Sequence, residues 1–222
     1  MNFMSVQLLR CRPGFLAVLV TLAGLLLAGV AFGQEVRVHY KIRGFSPDQK
    51  QMLVQIDDIN SSDPFLQVWD VDPPAPAKKA QKTAFVKSEG PKFIRETRKK
   101  LKMADAGVED WLYPLDPKDE TKSLSFFGLM AAKDRFVLAC TDKQKLGKVK
   151  DIPIKIDEET KTPAKAKLEG IFWTTDRKLL IAVVSQKIDT GTFLSERDEF
   201  HVVRFNPSDI LWVDNSPEPP AK

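Results

Sequence analysis

Val36-Arg37-Val38-His39-Tyr40-Lys41-Ile42-Arg43, followed by Gly44-Phe45-Ser46-Pro47-Asp48 and then Met52-Leu53-Val54-Gln55-Ile56, is the stretch that decides how this chain folds. Val36, Val38, Tyr40 and Ile42 alternate with Arg37, His39, Lys41 and Arg43. A period of two predicts a half-buried strand with one wet, basic face, and it places His39 on that face. Gly44 to Asp48 carries a turn signal, because Gly, Pro and Asp each favour chain reversal. Met52 to Ile56, the polar loop 57–64 and the run Phe65 to Val71 then read as a hairpin.

Working outward, Pro73, Pro74 and Pro76 end that hairpin, and the Ala/Lys-rich stretch through Lys82 reads as a solvated connector. Residues 91–106 predict one amphipathic helix: at about 100° per residue, Phe93, Ile94, Thr97, Leu101 and Ala104 share one arc, and Lys92, Arg95, Arg98, Lys99 and Lys102 point away. Pro91 suits the first turn and Gly107 the stop. Strand-like runs follow at 124–127, 136–140, 152–156, 171–173, 179–184, 200–205 and 210–213. The expected fold is therefore mainly β, with antiparallel sheets arranged as a propeller-like body or a sandwich and one helix near 91–106.

Residues 1–33 differ in kind. Arg10 and Arg12 precede an apolar run from Phe15 to Phe32, and Ala31-Phe32-Gly33 sets small side chains at alternate positions. This is the pattern of a secretory signal peptide cleaved after Gly33. The alternative is an uncleaved anchor, since residues 15–32 are just long enough to span a hydrocarbon core. The expected organisation is a signal peptide over 1–33, a single mainly-β domain over 34–213, and a disordered, proline-containing tail over 214–222, in a secreted or periplasmic protein.

The whole chain has 222 residues, 34 Lys+Arg against 30 Asp+Glu, and 43% hydrophobic residues. Collagen-like, coiled-coil and cysteine-stapled classes are excluded by that composition. Removal of residues 1–33 takes Arg10, Cys11 and Arg12 with it, so the formal charge falls from +4 to +2 and Cys140 is the one thiol left. No intramolecular disulfide is then available, and stability must come from the core.

One internal repeat is visible. Phe45-Ser46-Pro47-Asp48-Gln49-Lys50 leads into Met52-Leu53-Val54, and Phe172-Trp173-Thr174-Thr175-Asp176-Arg177-Lys178 leads into Leu179-Leu180-Ile181; Lys133-Asp134-Arg135 before Phe136 is a fainter copy. Asp at this position stabilises a tight turn by side-chain hydrogen bonds to backbone. With Val68-Trp69-Asp70 closing the partner strand, the unit resembles a repeat of the WD-type or Tol-type β-propellers, in which the residue after Asp is usually Gly where this chain has Gln49 and Arg177. The order of signal, Gly-Phe-Ser-Pro-Asp turn, strands, charged helix and further strands is also similar to a family of bacterial predicted secreted proteins of unknown function, a resemblance that implies no activity.

Candidates for chemistry are few. His39 and His201 are the two histidines; His201 shares a strand face with Val203 and Phe205, which predicts a core or partly buried ring. Cys140 ends an apolar run, where desolvation suppresses the thiolate. There is no Gly-x-Ser-x-Gly elbow, phosphate loop, dinucleotide fingerprint or His-Glu-x-x-His helix. The loop Asp57-Asp58-Ile59-Asn60-Ser61-Ser62-Asp63 has oxygen donors that suit calcium, but Asp63 and Trp69 stand where a calcium loop needs Gly and Glu. Asp57 and Asp63 could also form a glycosidase pair.

No catalytic, cofactor-binding or metal-binding residue is assigned, and the protein is not expected to be an enzyme. The expectation is an interaction module whose partner is a protein, with no nucleic acid, and with membrane contact through residues 15–32 if they are retained. Its rivals are a carbohydrate-directed hydrolase using loop carboxylates and a peripheral membrane protein using the basic helix face.

Overall fold

The computed structural model describes residues 34–105, 110–116, 118–119, 122–142 and 145–213; the expected signal peptide and tail lie outside these residues. The alternating stretch forms β1 (Gln34–Phe45), which turns into β2 (Gln51–Asp58) and then β3 (Phe65–Asp70), all antiparallel. Two-residue strands β4 (Ala75–Pro76) and β5 (Thr83–Ala84) pair with opposite ends of β3. Helix α1 (Gly90–Lys100) and the short β6 (Ala104–Asp105) follow. The remainder comprises β7 (Leu112–Pro114), β8 (Ser123–Ala131), β9 (Arg135–Asp142), β10 (Lys145–Pro153), β11 (Lys165–Trp173), β12 (Leu179–Asp189), β13 (Phe193–Arg204) and β14 (Leu211–Val213).

Two sheets result. The larger runs β11-β12-β13-β1-β2-β3-β4, with β5 and β6 attached at its side, and the smaller runs β14-β10-β9-β8-β7. The join between β13 and β1 is parallel and covers only Gln34–Val38 against Phe193–Arg197. Past that point the strands part, and the two halves of the large sheet face each other. Ile42, Met52 and Val54 from one half and Ile181, Val183 and Phe200 from the other share a single buried cluster. The opposite face of the β11–β13 half, through Ile171, Leu180, Ala182 and Val184, packs on Leu124, Phe126, Leu138, Cys140 and Ile152 of the small sheet.

The molecule is thus a three-layered β-sandwich, the sandwich alternative of the expected mainly-β class. The β1–β13 ladder fuses two meanders that would be separate blades in a propeller. The layering also explains the unbroken apolar run from Leu179 to Val184: β12 lies in the central layer, so both its faces are buried.

The two stronger copies of the repeated turn are built alike. In the first, Ser46 Oγ and Lys50 N donate to Asp48 Oδ1, Gln51 N donates to Ser46 Oγ, and Val71 N donates to Lys50 O. In the second, Thr174 Oγ1 and Lys178 N donate to Asp176 Oδ1, Leu179 N donates to Thr174 Oγ1, and Phe205 N donates to Lys178 O. These bonds hold both aspartates below the usual carboxylate range, with the Ser46 and Thr174 hydroxyls contributing most. The third copy differs: Asp134 pairs with Arg135 beside a turn closed by Ala132 N to Arg135 O.

Gln49 and Arg177, the residues standing where Gly is usual, both take left-handed backbone, at φ 59° and 54°. Arg177 uses that geometry, donating to Asp110 Oδ2 and Leu112 O. Among the described residues Gln49 has no such partner, and its Oε1 is buried without a hydrogen bond. Gln49→Gly is expected to raise stability by about 1 kcal/mol, since left-handed backbone costs a side chain roughly 1–2 kcal/mol. An unchanged or lower urea midpoint would refute that assignment.

Helix α1 continues from a 3₁₀ turn, Lys87–Glu89. Phe93 and Ile94 pack with Phe85, Leu53 and Leu66 on the outer face of the first meander. The helix stops at Lys100, because Lys102 adopts φ 55° and the Met103 and Lys102 amides close back on Arg98 O and Lys99 O. Ala104, placed on the helical arc by its spacing, instead pairs with Phe45 in the sheet. A Cβ on Gly44 would lie 2.6 Å from Ala104 O, so the close approach of β6 requires glycine there.

Candidate functional site

The residues singled out for chemistry do not converge. His201 is partly buried between the layers, its Nε2 lies 3.7 Å from Glu199, and burial pushes its imidazole below the usual histidine range. Glu199 also accepts from Gln186 Nε2 at 3.2 Å and pairs with Lys155, so this corner is a structural polar network. Cys140 is fully buried, and desolvation pushes its thiol up to about 11. At neutral pH such a group is a thiol and a poor nucleophile.

Asp57 and Asp58 end β2 on opposite faces of the pleat, and Asp63 lies in the loop beyond the strand. Burial would raise the Asp57 carboxyl, but Gln55 Nε2 at 2.7 Å and Lys41 Nζ at 3.1 Å outweigh it and hold the group low. Asp58 Oδ1 caps its own loop by accepting from Asn60 N at 2.9 Å, and Asp63 O accepts from Ser61 Oγ. Among the described residues no group of three or more His, Cys, Asp or Glu side chains is placed to hold a metal ion.

His39 is half-exposed, as its place on the wet face predicts, but it has an unforeseen partner. Its Nδ1 lies 3.3 Å from Asp198 Oδ1, and Asp198 Oδ2 accepts from Tyr40 N at 2.8 Å. Asp198 sits where β1 and β13 part, so its side chain takes the amide that the ladder no longer satisfies. That is a positional role.

Among the described residues, two open clefts are of a size to take a ligand segment. In one, of about 870 Å³, the two repeated turns meet, with Asp48, Lys50, Asp176, Lys178 and Arg204 in its walls. Its aspartates are taken up by their own turns, and Asp72 pairs with Arg204. The other, of about 990 Å³, lies between α1 and the connector after β4. Because β4 and β5 pair only with the two ends of β3, residues 78–82 leave the sheet ladder between them and form a wall, tied back by Ala77 N donating to Val68 O and Gln67 Nε2 donating to Ala80 O. Leu53, Leu66 and Val68 make the floor, Phe93 and Leu101 the helical side, and Lys78, Lys79, Glu96 and Lys100 the rim.

The helix is amphipathic, but its apolar arc is only partly covered. Phe93 and Ile94 are packed, whereas Leu101 is 40% exposed at the mouth of the cleft. The sequence signal for this was Leu101 itself, an apolar residue in line with Phe93, Ile94 and Thr97. The connector carried none, since an Ala/Lys-rich segment reads as solvated chain.

Fold and site together define a layered β-domain with an open, apolar-floored cleft beneath a basic helix. Comparison with known proteins adds nothing to that description: no family model, no curated protein and no solved structure matches the chain. Among the described residues no helix is long and apolar enough to cross a membrane.

Proposed function

We propose that this is an exported, non-catalytic binding module that takes a protein ligand in the cleft between α1 and the 77–82 connector. The observation that carries it is the partly uncovered apolar arc of α1, continued by Val68 and the floor leucines into one concave, apolar-centred and polar-rimmed surface. That is the anatomy of a recognition groove, with burial available at the centre and charges at the edge. Export rests on the basic, apolar and small-residue order of residues 1–33.

A photoreactive residue at position 101, at the cleft mouth, tests this against one at position 156, where Ile156 is 57% exposed outside the cleft. In the native host, one protein crosslinked from position 101 and absent from position 156 is the expected result. Equal recovery from both positions, or none from 101, overturns the proposal.

A further inference from the structure

Positive charge is concentrated in the segment that walls the cleft to a degree that the whole-chain value conceals, and Lys78, Lys79 and Lys100 bring it into the lining beside Asp70 and Glu96. Residues 78–102 contain ten Lys or Arg side chains against Glu89 and Glu96, a local net of +8, whereas the entire chain is +4; everything outside this segment therefore sums to −4. Helix and connector, the two walls of the cleft, both lie in that segment. Lys78, Lys79 and Lys100 are exposed at the rim, and among the described residues none of them has a carboxylate partner. Charges without partners beside an apolar floor fix the chemistry of what can enter.

Building on the binding-module reading, we infer that the cleft takes an acidic, extended protein segment that inserts apolar side chains between α1 and the connector. An extended chain presents alternate residues to opposite sides, so apolar side chains reach Leu53, Leu66, Val68 and Leu101 while intervening carboxylates face the rim lysines. A lipid surface fits less well. The apolar residues lie on a concave floor that a flat bilayer does not reach.

The test uses fluorescence anisotropy with a labelled peptide of about twelve residues in which Asp or Glu alternates with Leu or Phe. Its controls are the same peptide with Lys for every acid, and vesicles of phosphatidylcholine with phosphatidylglycerol. The acidic peptide is expected to bind at least tenfold tighter than the basic one, and to weaken as sodium chloride rises from about 50 to about 500 mM. Combining Lys78→Glu, Lys79→Glu and Lys100→Glu, all at exposed positions, is expected to reverse the preference without altering the melting temperature. Leu101→Asp is expected to weaken the acidic peptide at least fivefold.

Equal binding of the two peptides, indifference to the charge reversals, or binding to the vesicles with none to the peptide would each overturn the inference. If crosslinking from position 101 still yields a specific partner while the acidic peptide fails, the binding-module reading stands and the acidic ligand falls. If both fail, the cleft is not a binding site.

Discussion

Trp173→Ala is expected to lower unfolding free energy by about 3–5 kcal/mol, the range for truncating a buried large aromatic side chain. Trp173 is 5% exposed at the end of β11, where the central layer meets the small sheet. Its ring lies 5.0 Å from Tyr113, 5.1 Å from Phe205 and 5.6 Å from Phe126, centroid to centroid. Its Nε1 donates to Asp110 O at 2.9 Å. Truncation therefore opens a cavity at the junction of two layers and leaves a carbonyl without its donor. Trp173→Phe keeps most of the ring contacts and loses only the hydrogen bond and some volume, so it should cost markedly less. Urea unfolding with unchanged m-values measures both. A loss under about 1 kcal/mol for the alanine variant would mean that the two sheets do not depend on this contact.

What could be read from sequence, and what could not, follows the range of the interactions. Alternation in residues 36–43 is a local property, and it yields both the strand and its buried face. The Asp48 and Asp176 turns are equally local, since the bonds made by the Ser46, Asp48, Thr174 and Asp176 side chains span a few residues, and only the Val71–Lys50 and Phe205–Lys178 backbone bonds reach further. Layer assignment is not local. The parallel join of β1 to β13 brings together residues such as His39 and Asp198, which are 159 positions apart, and a period of two says which face is buried without saying against what. The helix end was hidden for another reason: Lys102 adopts the left-handed conformation without the glycine that marks such a stop, so the apolar spacing ran on to Ala104. For the cleft, half of the signal was present in Leu101, and the other half lay in an arch held open by two strands of two residues each.

Asp198→Ala is expected to cost about 1–3 kcal/mol, because the Tyr40 amide at the fork between β1 and β13 loses its acceptor in a place where water does not readily replace it. Asp198→Asn should behave differently. Its carbonyl oxygen can still accept from Tyr40 N, and its amide can donate to His39 Nδ1, so both partners stay satisfied. Burial pushes the Asp198 carboxyl above its usual range, although Tyr40 N and His39 pull the other way. A carboxyl raised in the folded protein binds its proton more tightly there than in the unfolded chain. Its contribution to stability is therefore fully present below the ordinary aspartate range and is lost as pH rises through the raised value. The stability of the native protein relative to Asp198→Asn should accordingly fall between acid and neutral pH, leaving the asparagine variant at least as stable at pH 7, while Asp198→Ala is the weaker fold of the two throughout. Urea midpoints of the three proteins across that range decide the matter. If Asn is as damaging as Ala, the charge itself holds the fork together, and the ion pair with His39, not the amide bond to Tyr40, is the reason an aspartate is buried there.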